Sequence, residues 1–339
     1  MPDCYPLLSK DEILALKRRL SQEYRTLPKE LPWLDLVDAE AREPAPIGAR
    51  TRIVTFNAER GTRFDAICAL LREDERLQAA DILLLSELDW GMVRSGNRHV
   101  TRDLAAALGM SYVFGVEFLE LTKGDALEME VEGENTKSLH GNAILSRWPL
   151  QRPRVVRLPI KCDWREPQQA RIGGRMALIA EIDTSAGPLT LVTTHLENRT
   201  SPNGRREQMK AVLEAVREAP RAVVAGDLNT STIDPDDTTQ LFSLPDLLRE
   251  DRKRLIRPQE YEPLFDDVRA GDFRIDELNV LDAPTSVPVG IDDPAFRLKL
   301  DWMFARGAQV TGKPAVVAAK HGGARVSDHD LLVVDLEWA

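Results

Sequence analysis

The chain has 339 residues, of which 43% are hydrophobic and 29% are charged, and its formal net charge is −10. This is an ordinary globular composition with enough length to bury a sizeable core. The negative charge argues against a long-range basic field of the kind that drives tight, non-specific nucleic-acid binding.

Cysteine content and the N-terminal sequence bear on the cellular compartment. The three cysteines, Cys4, Cys68 and Cys162, are odd in number and form no CxxC motif, so neither a disulfide framework nor a zinc knuckle is indicated. The first residues lack a basic region followed by an apolar core, and no apolar run approaches membrane-spanning length. We expect a cytoplasmic protein without a transmembrane segment.

Residues 1–50 carry one helical pattern. Ser9 and Glu12 form a capping-box signature, and apolar residues then recur at helical spacing, which predicts an amphipathic helix over residues 9–24. Prolines interrupt the remainder of the segment. We expect residues 1–50 to be an N-terminal helical extension that packs against a main domain over residues 51–339. The alternative is a partner-binding or substrate-shaping arm.

From Arg52 onwards, strand-like and helical patterns alternate. Strands outnumber helices and the helices fall between groups of strands, which indicates two packed sheets with helices outside. Residues 121–139 are strongly acidic and predict a solvated hairpin or a mobile loop. Residues 231–297 are rich in proline and aspartate, and long connecting segments of this kind often shape a substrate site.

The most informative stretch is Gly226-Asp227-Leu228-Asn229, which follows a short run of small apolar residues. On extended backbone, Asp227 and Asn229 point the same way, so a carboxylate and an amide lie side by side. Such a pair can hold a water, a phosphate and a hard metal ion. An isolated Asp-x-Asn is more typical of an Asx turn, so the interpretation depends on the other strand ends.

Other strand ends carry polar residues of matching chemistry. Singly, each has an ordinary explanation: Glu59 as a loop charge, Glu87 as a helix cap, His195 as a half-buried structural histidine. Together they are harder to dismiss, because ionisable residues that follow buried apolar runs are costly to desolvate unless they are paired or bind metal. The set is Asn57, Glu59, Glu87, His195, Glu197, Asp227, Asn229, Asp301, Asp328 and His329.

These residue types fit one reaction class. Oxygen ligands from Asn57, Glu87 and Asp328 suit Mg²⁺ or Mn²⁺ rather than zinc. Two histidines can supply a phosphate donor and an orienting or acid–base group, and a water held by Asp227 can act as nucleophile. The sequence has no GxSxG elbow, Walker loop or HExxH motif. Metal-assisted phosphoester hydrolysis is therefore indicated.

Seven motifs resemble, in chain order, those of the endonuclease/exonuclease/phosphatase superfamily, which includes deoxyribonuclease I, abasic-site endonucleases, sphingomyelinases and inositol polyphosphate 5-phosphatases. The resemblance covers about residue 52 to the C-terminus. It implies an α+β fold, a four-layer α/β/β/α sandwich of two packed mixed β-sheets flanked by helices, with the active site at one end of the sheets. The motifs are Phe56–Glu59, Ser86–Asp89, Gly141–Ser146, Thr193–Leu196, Gly226–Asn229, Leu300–Phe304 and Ser327–His329.

The resemblance also implies roles for individual residues. Glu87 would be the main metal ligand, helped by Asn57 and Asp328, and Glu59 stands where some relatives carry an acidic metal-site residue. His195 would donate to the scissile phosphate. The remaining roles are Asp227 to position or deprotonate the attacking water, Asn229 to hold the phosphate, and Asp301 to orient the second phosphate-facing histidine, His329.

Further residues are candidates for contacts with the substrate. Asn142 is expected to contact substrate, and Arg175 is expected either to reach a phosphate or to form a surface ion pair. Arg94 and Arg98 are candidate substrate contacts, with membership of a solvated loop as the preferred alternative. His140 is expected at the rim of the site.

The sequence thus predicts a divalent-metal-dependent phosphoester hydrolase, a phosphodiesterase and possibly a nuclease, acting by metal-assisted attack of water on phosphorus. A phosphatase, or a sphingomyelinase-like hydrolase of a phospholipid or inositol phosphate, is the alternative. A second alternative is a non-catalytic binding module that has kept the fold. The expected partner is a phosphoester substrate, and no oligomeric state is indicated.

Overall fold

The computed structural model describes residues 5–43, 50–165, 169–235, 251–287 and 296–338. The helices in these ranges are α1 Lys10–Glu23, α2 Leu27–Glu30, α3 Phe64–Glu73, α4 Val100–Leu108, α5 Pro202–Ala215, α6 Lys253–Ile256 and α7 Leu264–Ala270. The strands are β1 Val37–Glu40, β2 Arg50–Arg60, β3 Ile82–Trp90, β4 Ser111–Glu120, β5 Leu139–Ser146, β6 Gln151–Arg157, β7 Arg171–Gly173, β8 Met176–Thr184, β9 Gly187–His195, β10 Ala222–Asp227, β11 Asp301–Arg306, β12 Ala308–Val310, β13 Ala315–Val317, β14 Lys320–His321, β15 Ala324–Arg325 and β16 Leu331–Trp338.

Two mixed sheets form the centre of the molecule. The nine-stranded sheet has the order β1-β4-β5-β3-β2-β16-β12, with β13 paired to β16 and β7 to β4. The five-stranded sheet has the order β11-β10-β9-β8-β6, and β14 and β15 form a separate ribbon. The pairs β2–β3 and β9–β10 are parallel, whereas their outer neighbours β16, β5, β8 and β11 run antiparallel to them.

Alternation of side chains along the strands builds the layers. Ile53 of β2 lies in the core between the two sheets, together with Val223 of β10, whereas the next residue, Val54, lies on the opposite face with Ile67 of α3. Val224 faces outward in the same way and packs with α5 and α7. Because successive strand residues point to opposite faces, each buried apolar run contributes side chains to two different cores. The predicted four-layer sandwich is confirmed.

The N-terminal segment is tied to the nine-stranded sheet. The predicted helix is confirmed as α1, whose capping box joins Ser9 and Glu12. Further on, β1 pairs antiparallel with β4, and Oδ2 of Asp38 accepts hydrogen bonds from Tyr112 Oη at 2.7 Å and from His99 Nε2 at 2.9 Å. The domain division at residue 50 stays a prediction.

Strand direction brings the polar strand ends to one edge. The parallel strands β2, β3, β9 and β10 end at this edge, and the antiparallel strands β11 and β16 begin there. Asp227 is in register with His195 of β9 on one side and with Asp301 of β11 on the other. Residues far apart in the sequence therefore meet because of sheet topology.

Two loop predictions have a mixed outcome. Most of residues 126–134 are exposed, as expected of a solvated loop, but the Glu128 side chain is only 12% exposed because it pairs with two arginines. The predicted substrate-shaping segment contains α6 and α7, while its residues 236–250 and 288–295 lie outside the described residues. No helix within the described ranges has both the length and the apolar character needed to cross a bilayer, and a cytoplasmic location stays a prediction.

Candidate active site

The backbone around Asp227 has little freedom. Gly226 has φ +144°, and a Cβ atom there would lie 1.9 Å from the carbonyl oxygen of Thr194. Only glycine therefore allows β10 to approach β9 this closely. Asn229 is left-handed with φ 48°, a conformation that asparagine tolerates better than most residues.

Neighbouring bulges shape the ends of β2 and β3. The register shifts between Asn57 and Arg60 on β2, and between Leu85 and Leu88 on β3. Inside the bulges, Glu59, Arg60 and Glu87 have positive φ values of 46°, 66° and 55°. Bulges re-aim side chains, and strained backbone of this kind collects at functional sites. The two bulges set Glu59 and Glu87 at the same edge as Asp227.

Asp227 lies at the centre of the cluster. Its Oδ2 accepts a hydrogen bond from Asn57 Nδ2 at 3.2 Å and lies 3.4 Å from His195 Nε2 and 3.6 Å from His329 Nε2. Its Oδ1 accepts from the backbone N–H of Asn229 at 2.9 Å. Burial raises the pKa of Asp227 to about 7, although the charge of His329 opposes the shift.

His329 is held from two sides. Its Nδ1 lies 2.8 Å from Oδ2 of Asp301, and its backbone N–H donates to Ser327 Oγ, which itself donates to the carbonyl of Asn57 at 2.7 Å. Thr285 Oγ1 accepts from the backbone N–H of Asp301 at 3.0 Å. Burial alone would lower the pKa of His329, but the carboxylates of Asp301 and Asp227 outweigh it and raise that pKa well above 6.5. The neighbouring carboxylates therefore favour the protonated form of His329.

The pKa of His195 is shifted in the opposite direction. Its Nδ1 lies 3.9 Å from Glu87 Oε1 and has no hydrogen-bond partner among the described residues. Burial, followed by the charge of Arg175, lowers the pKa of His195 well below 6.5. Two histidines with pKa values pushed apart flank one carboxylate, which is typical of sites that need a neutral and a charged donor at once.

The predicted metal-binding residues gather beside this cluster. Asn57 Nδ2 also donates to Glu87 Oε1 at 3.0 Å, and Glu59 Oε2 accepts from the backbone N–H of Asp328 at 3.2 Å. Burial and the Asp328 charge raise the pKa of Glu59, and burial is also the main cause that raises the pKa of Asp328. Glu87 differs, because the charges of His195 and Arg60 outweigh its burial and lower its pKa. An ionised Glu87 beside the crowded carboxylates of Glu59 and Asp328 is suited to a hard cation, which relieves their repulsion.

The predicted substrate contacts Asn142 and Arg175 share a partner. Asn142 Nδ2 donates to Glu117 Oε1 at 3.2 Å, and Arg175 Nη1 donates to Glu117 Oε2 at 3.1 Å. Arg175 is 4% exposed, so the surface ion-pair alternative was wrong. The sequence analysis missed Glu117, although a single acid within the apolar run Val116–Leu119 signals a buried pair.

Asp89, two residues after Glu87, pairs with both Arg94 and His140. It accepts hydrogen bonds from Arg94 Nε at 2.8 Å and Nη2 at 2.9 Å, and its Oδ1 lies 2.8 Å from His140 Nδ1. The Arg94 side chain is 4% exposed, so the solvated-loop interpretation was wrong for it. Arg98, by contrast, is 38% exposed and lies over the ring of Phe64 at 4.3 Å. Asp89 belongs to the Ser86–Asp89 motif, but nothing in the sequence pattern indicates that it pairs with Arg94 and His140.

Comparisons with known proteins identify the family. The endonuclease/exonuclease/phosphatase family matches residues 54–329, whereas none of the curated proteins matches the chain. Similar solved structures include an endonuclease/exonuclease/phosphatase from Beutenbergia cavernae DSM 12333, at 21% identity with 86% of this chain and 72% of that chain covered and a TM-score of 0.57. They also include the human nocturnin catalytic domain with bound sulfate, at 15% identity, 90% and 98% coverage and a TM-score of 0.54.

A 3′-5′ exonuclease from Neisseria meningitidis is similar at 18% identity, with 85% of this chain and 100% of that chain covered and a TM-score of 0.52. At these identities the solved structures agree in fold alone. The family match includes strands of both sheets and contains every motif from the end of β2 to His329. The chain is a member of the endonuclease/exonuclease/phosphatase family.

Proposed function

We propose that the protein is a divalent-metal-dependent phosphodiesterase, in which an activated water attacks the phosphorus atom of the substrate. Family membership supports a phosphoester hydrolase in general. The observation that carries the proposal is the buried Asp227 carboxylate with a histidine on each side, 3.4 Å and 3.6 Å away, whose pKa values are shifted in opposite directions. This arrangement can hold a water and stabilise a phosphate together.

The metal would be held by Glu87, Glu59 and Asp328 at the ends of β3, β2 and the loop before β16, with Asn57 between them. Their oxygen donors suit Mg²⁺ or Mn²⁺. When bound, such an ion polarises the phosphate and neutralises developing negative charge. One potential ligand atom from each of Asp227, Asp301 and His329 also lies within 4.8 Å of the other two. We do not assign the metal to these three residues, because the hydrogen bond to Asp301 already orients the His329 ring.

The two histidines would act on the phosphate. His329 Nδ1–H donates to Asp301, which fixes the ring so that Nε2–H faces the position beside Asp227. A cationic donor there strengthens as negative charge grows on the phosphate oxygens in the transition state. His195, being neutral, would donate a further hydrogen bond without adding a charge beside the metal-binding carboxylates.

Asp227 would orient and deprotonate the attacking water. A carboxylate with a pKa near neutrality is a more effective general base than an ordinary aspartate, because it can accept a proton at the operating pH. Its Oδ1 is fixed by the backbone N–H of Asn229, which leaves Oδ2 to face the histidines. The Asn229 side chain donates to the carbonyl of Leu196 at 2.9 Å and so ties the ends of β9 and β10 together.

Turnover of a small diester tests the proposal. Purified protein is incubated with bis(p-nitrophenyl) phosphate, and separately with the monoester p-nitrophenyl phosphate, in Mg²⁺ or Mn²⁺ and again in EDTA. We expect release of nitrophenolate from the diester that EDTA abolishes, and that Asp227→Asn removes while His321→Ala leaves it intact. His321 is a matched control because its ring pairs with Glu73 on the surface.

The alternatives give different outcomes. Hydrolysis of the monoester alone would favour a phosphatase. If neither chromogenic ester is cleaved, a panel of DNA, RNA, sphingomyelin and inositol phosphates extends the test. A folded protein that turns over none of these with either metal would contradict the proposal and favour a binding module.

A further inference from the structure

The carboxylate of Glu128 lies between two guanidinium groups at the edge of the candidate active site. Its Oε1 is 2.9 Å from Arg60 Nη1, and its Oε2 is 3.2 Å from Arg94 Nη1. One oxygen for each arginine is the geometry in which guanidinium pairs also hold a phosphate or another oxyanion. Glu128 therefore occupies an anion position built by Arg60 and Arg94.

The two arginines differ in what else they bind. Arg94 is 4% exposed and holds Asp89 through two hydrogen bonds, so its charge is balanced within the fold. Arg60 is 28% exposed, and its ion pairs within the described residues are with Glu128 and, at 3.7 Å, Asp125. If these two acids moved away, Arg60 would lose both of its ion pairs within the described residues and its guanidinium would be free to bind another anion at the site.

Arg60 is also well placed relative to the proposed metal-binding residues. It follows Glu59 directly in the bulge of β2, with a left-handed φ of 66°. Its partner in the sheet register is Leu88, the residue after Glu87. The backbone strain at consecutive positions Glu59 and Arg60 thus places a carboxylate and a guanidinium at the same edge.

Glu128 and Asp125 are fixed to each other in a tight turn of the acidic loop, residues 121–138. Glu128 Oε2 accepts from the backbone N–H of Asp125 at 2.7 Å, and Asp125 Oδ1 accepts from the backbone N–H of Glu128 at 3.1 Å. Around them Leu127 is 78% exposed and Met129 41% exposed, so this turn has little packing. Segments with few buried contacts open at low free-energy cost.

We propose that Arg60 binds an anionic group of the substrate that lies beside the scissile phosphate, and that Glu128 occupies this position until substrate displaces it. The inference rests on the proposed hydrolase function and narrows the substrate to phosphoesters that carry a second negative group. Glu128 is then an internal competitor: it keeps Arg60 ordered in the free enzyme and weakens binding of the second anionic group, which must displace it.

The test compares two substrates that differ by one phosphate. They are thymidine 5′-(p-nitrophenyl phosphate) and the same compound with an added 3′-phosphate. Three variants are measured: Arg60→Gln, Glu128→Gln and, as the matched control, Glu130→Gln, which makes the same charge change at an exposed residue of the same loop. Melting temperature and Mg²⁺ affinity are measured for each variant.

For the substrate with the second phosphate, we expect Arg60→Gln to raise KM by about tenfold and Glu128→Gln to lower it by a factor of about three to ten, as is typical for a charge-assisted contact. The kcat values should change little. A fourth variant, which combines Arg60→Gln with Glu128→Gln, should resemble Arg60→Gln alone. KM for the substrate without the second phosphate should respond to neither change, and Glu130→Gln should match wild type with both substrates.

A second measurement follows the loop itself. In EDTA, which prevents turnover, thymidine 3′,5′-bisphosphate should increase hydrogen exchange at the amides of Asp125 and Met129, because its phosphate releases Glu128. Wild-type protein that hydrolyses both substrates while Arg60→Gln and Glu128→Gln leave KM and exchange unchanged would overturn the inference and leave the proposed function intact. Wild-type protein that binds the bisphosphate with loop opening but hydrolyses neither substrate would overturn the proposed function instead.

Discussion

Asp301 and His329 form a fully enclosed pair, in which His329 Nδ1 lies 2.8 Å from Asp301 Oδ2 and the opposite ring nitrogen lies 3.6 Å from Asp227. Neither side chain is more than 6% exposed. The pair links the start of β11 in one sheet to the loop before β16 in the other. One hydrogen bond therefore couples the two sheets directly at the site.

This pairing predicts the effect of removing either partner. His329→Ala should lower kcat about 10²–10³-fold, the usual cost of losing one donor to a developing oxyanion. Asp301→Asn should be a milder version, since the imidazole remains but loses its charged partner. Steady-state kinetics with a diester, calorimetric Mg²⁺ titration and thermal melting separate the contributions.

Metal affinity should remain near wild type in both variants, because neither residue is proposed as a ligand. Melting temperature should fall, most in His329→Ala, because the buried Asp301 carboxylate loses its partner, so kcat is compared in the folded fraction. His321→Ala serves as the control for loss of an imidazole paired with a carboxylate. A loss of stability with unchanged kcat in the folded fraction would show that His329 is structural.

Glu87 is predicted to dominate metal binding. Glu87→Gln keeps the shape of the side chain and a hydrogen-bonding oxygen for Asn57, but it removes the formal charge that a hard cation needs. We expect Mg²⁺ affinity to fall at least about tenfold and most turnover to be lost. Calorimetric titration measures the affinity, with the exposed Glu73→Gln as control. Equal affinity and turnover in Glu87→Gln and wild type would remove Glu87 from the metal site.

Lys299, two residues before Asp301, gives a pH-dependent prediction for stability. Its side chain is buried, its Nζ has no hydrogen-bond partner among the described residues, and it lies 4.4 Å from the Trp302 ring. Burial lowers the pKa of Lys299 to about 8, although Asp301 opposes the shift. Lys299→Met should therefore be more stable than wild type near neutral pH, because it removes a buried charge. The gain should be on the order of 1–2 kcal/mol once the lost cation–π contact with Trp302 is subtracted.

The sign of the pH dependence follows from linkage. Because the folded pKa lies below the unfolded one, the unfolded chain binds more protons between pH about 8 and about 10.5, and wild-type stability rises relative to the variant across that window. Urea unfolding at neutral pH and at about pH 10 measures the difference, with the exposed Lys313→Met as control. A constant difference at both pH values would contradict the assignment.

The N-terminal segment is predicted to serve stability rather than chemistry. Asp38 accepts hydrogen bonds from Tyr112 Oη and His99 Nε2 beneath the edge strand β1, so Asp38→Ala leaves two largely buried groups unsatisfied. We expect a loss of about 2–4 kcal/mol in the free energy of unfolding and an unchanged kcat. Asp38→Asn, which keeps one acceptor, should lose less. A fall in kcat without a fall in melting temperature would favour the alternative of a substrate-shaping arm.

The local patterns in the sequence determined much of this protein. Alternating and continuous apolar runs predicted the strands, and Ser9 with Glu12 predicted the start of α1, because both signals depend on residues a few positions apart. The ordered motifs predicted the family and the layered fold. The same motifs named the polar residues at the strand ends, which the sheet topology then brought to one edge.

Tertiary structure alone decided how these residues are paired and charged. Burial and neighbouring charges give His195 and His329 opposite pKa shifts, although their sequence surroundings give no sign of a difference. Likewise, Glu128 stands in an acidic run that resembles a solvated loop, and only the structure shows that it forms ion pairs with Arg60 and Arg94. Sequence patterns report local geometry, whereas pKa values and ion pairs depend on desolvation and on partners distant in the chain, which the fold alone brings together.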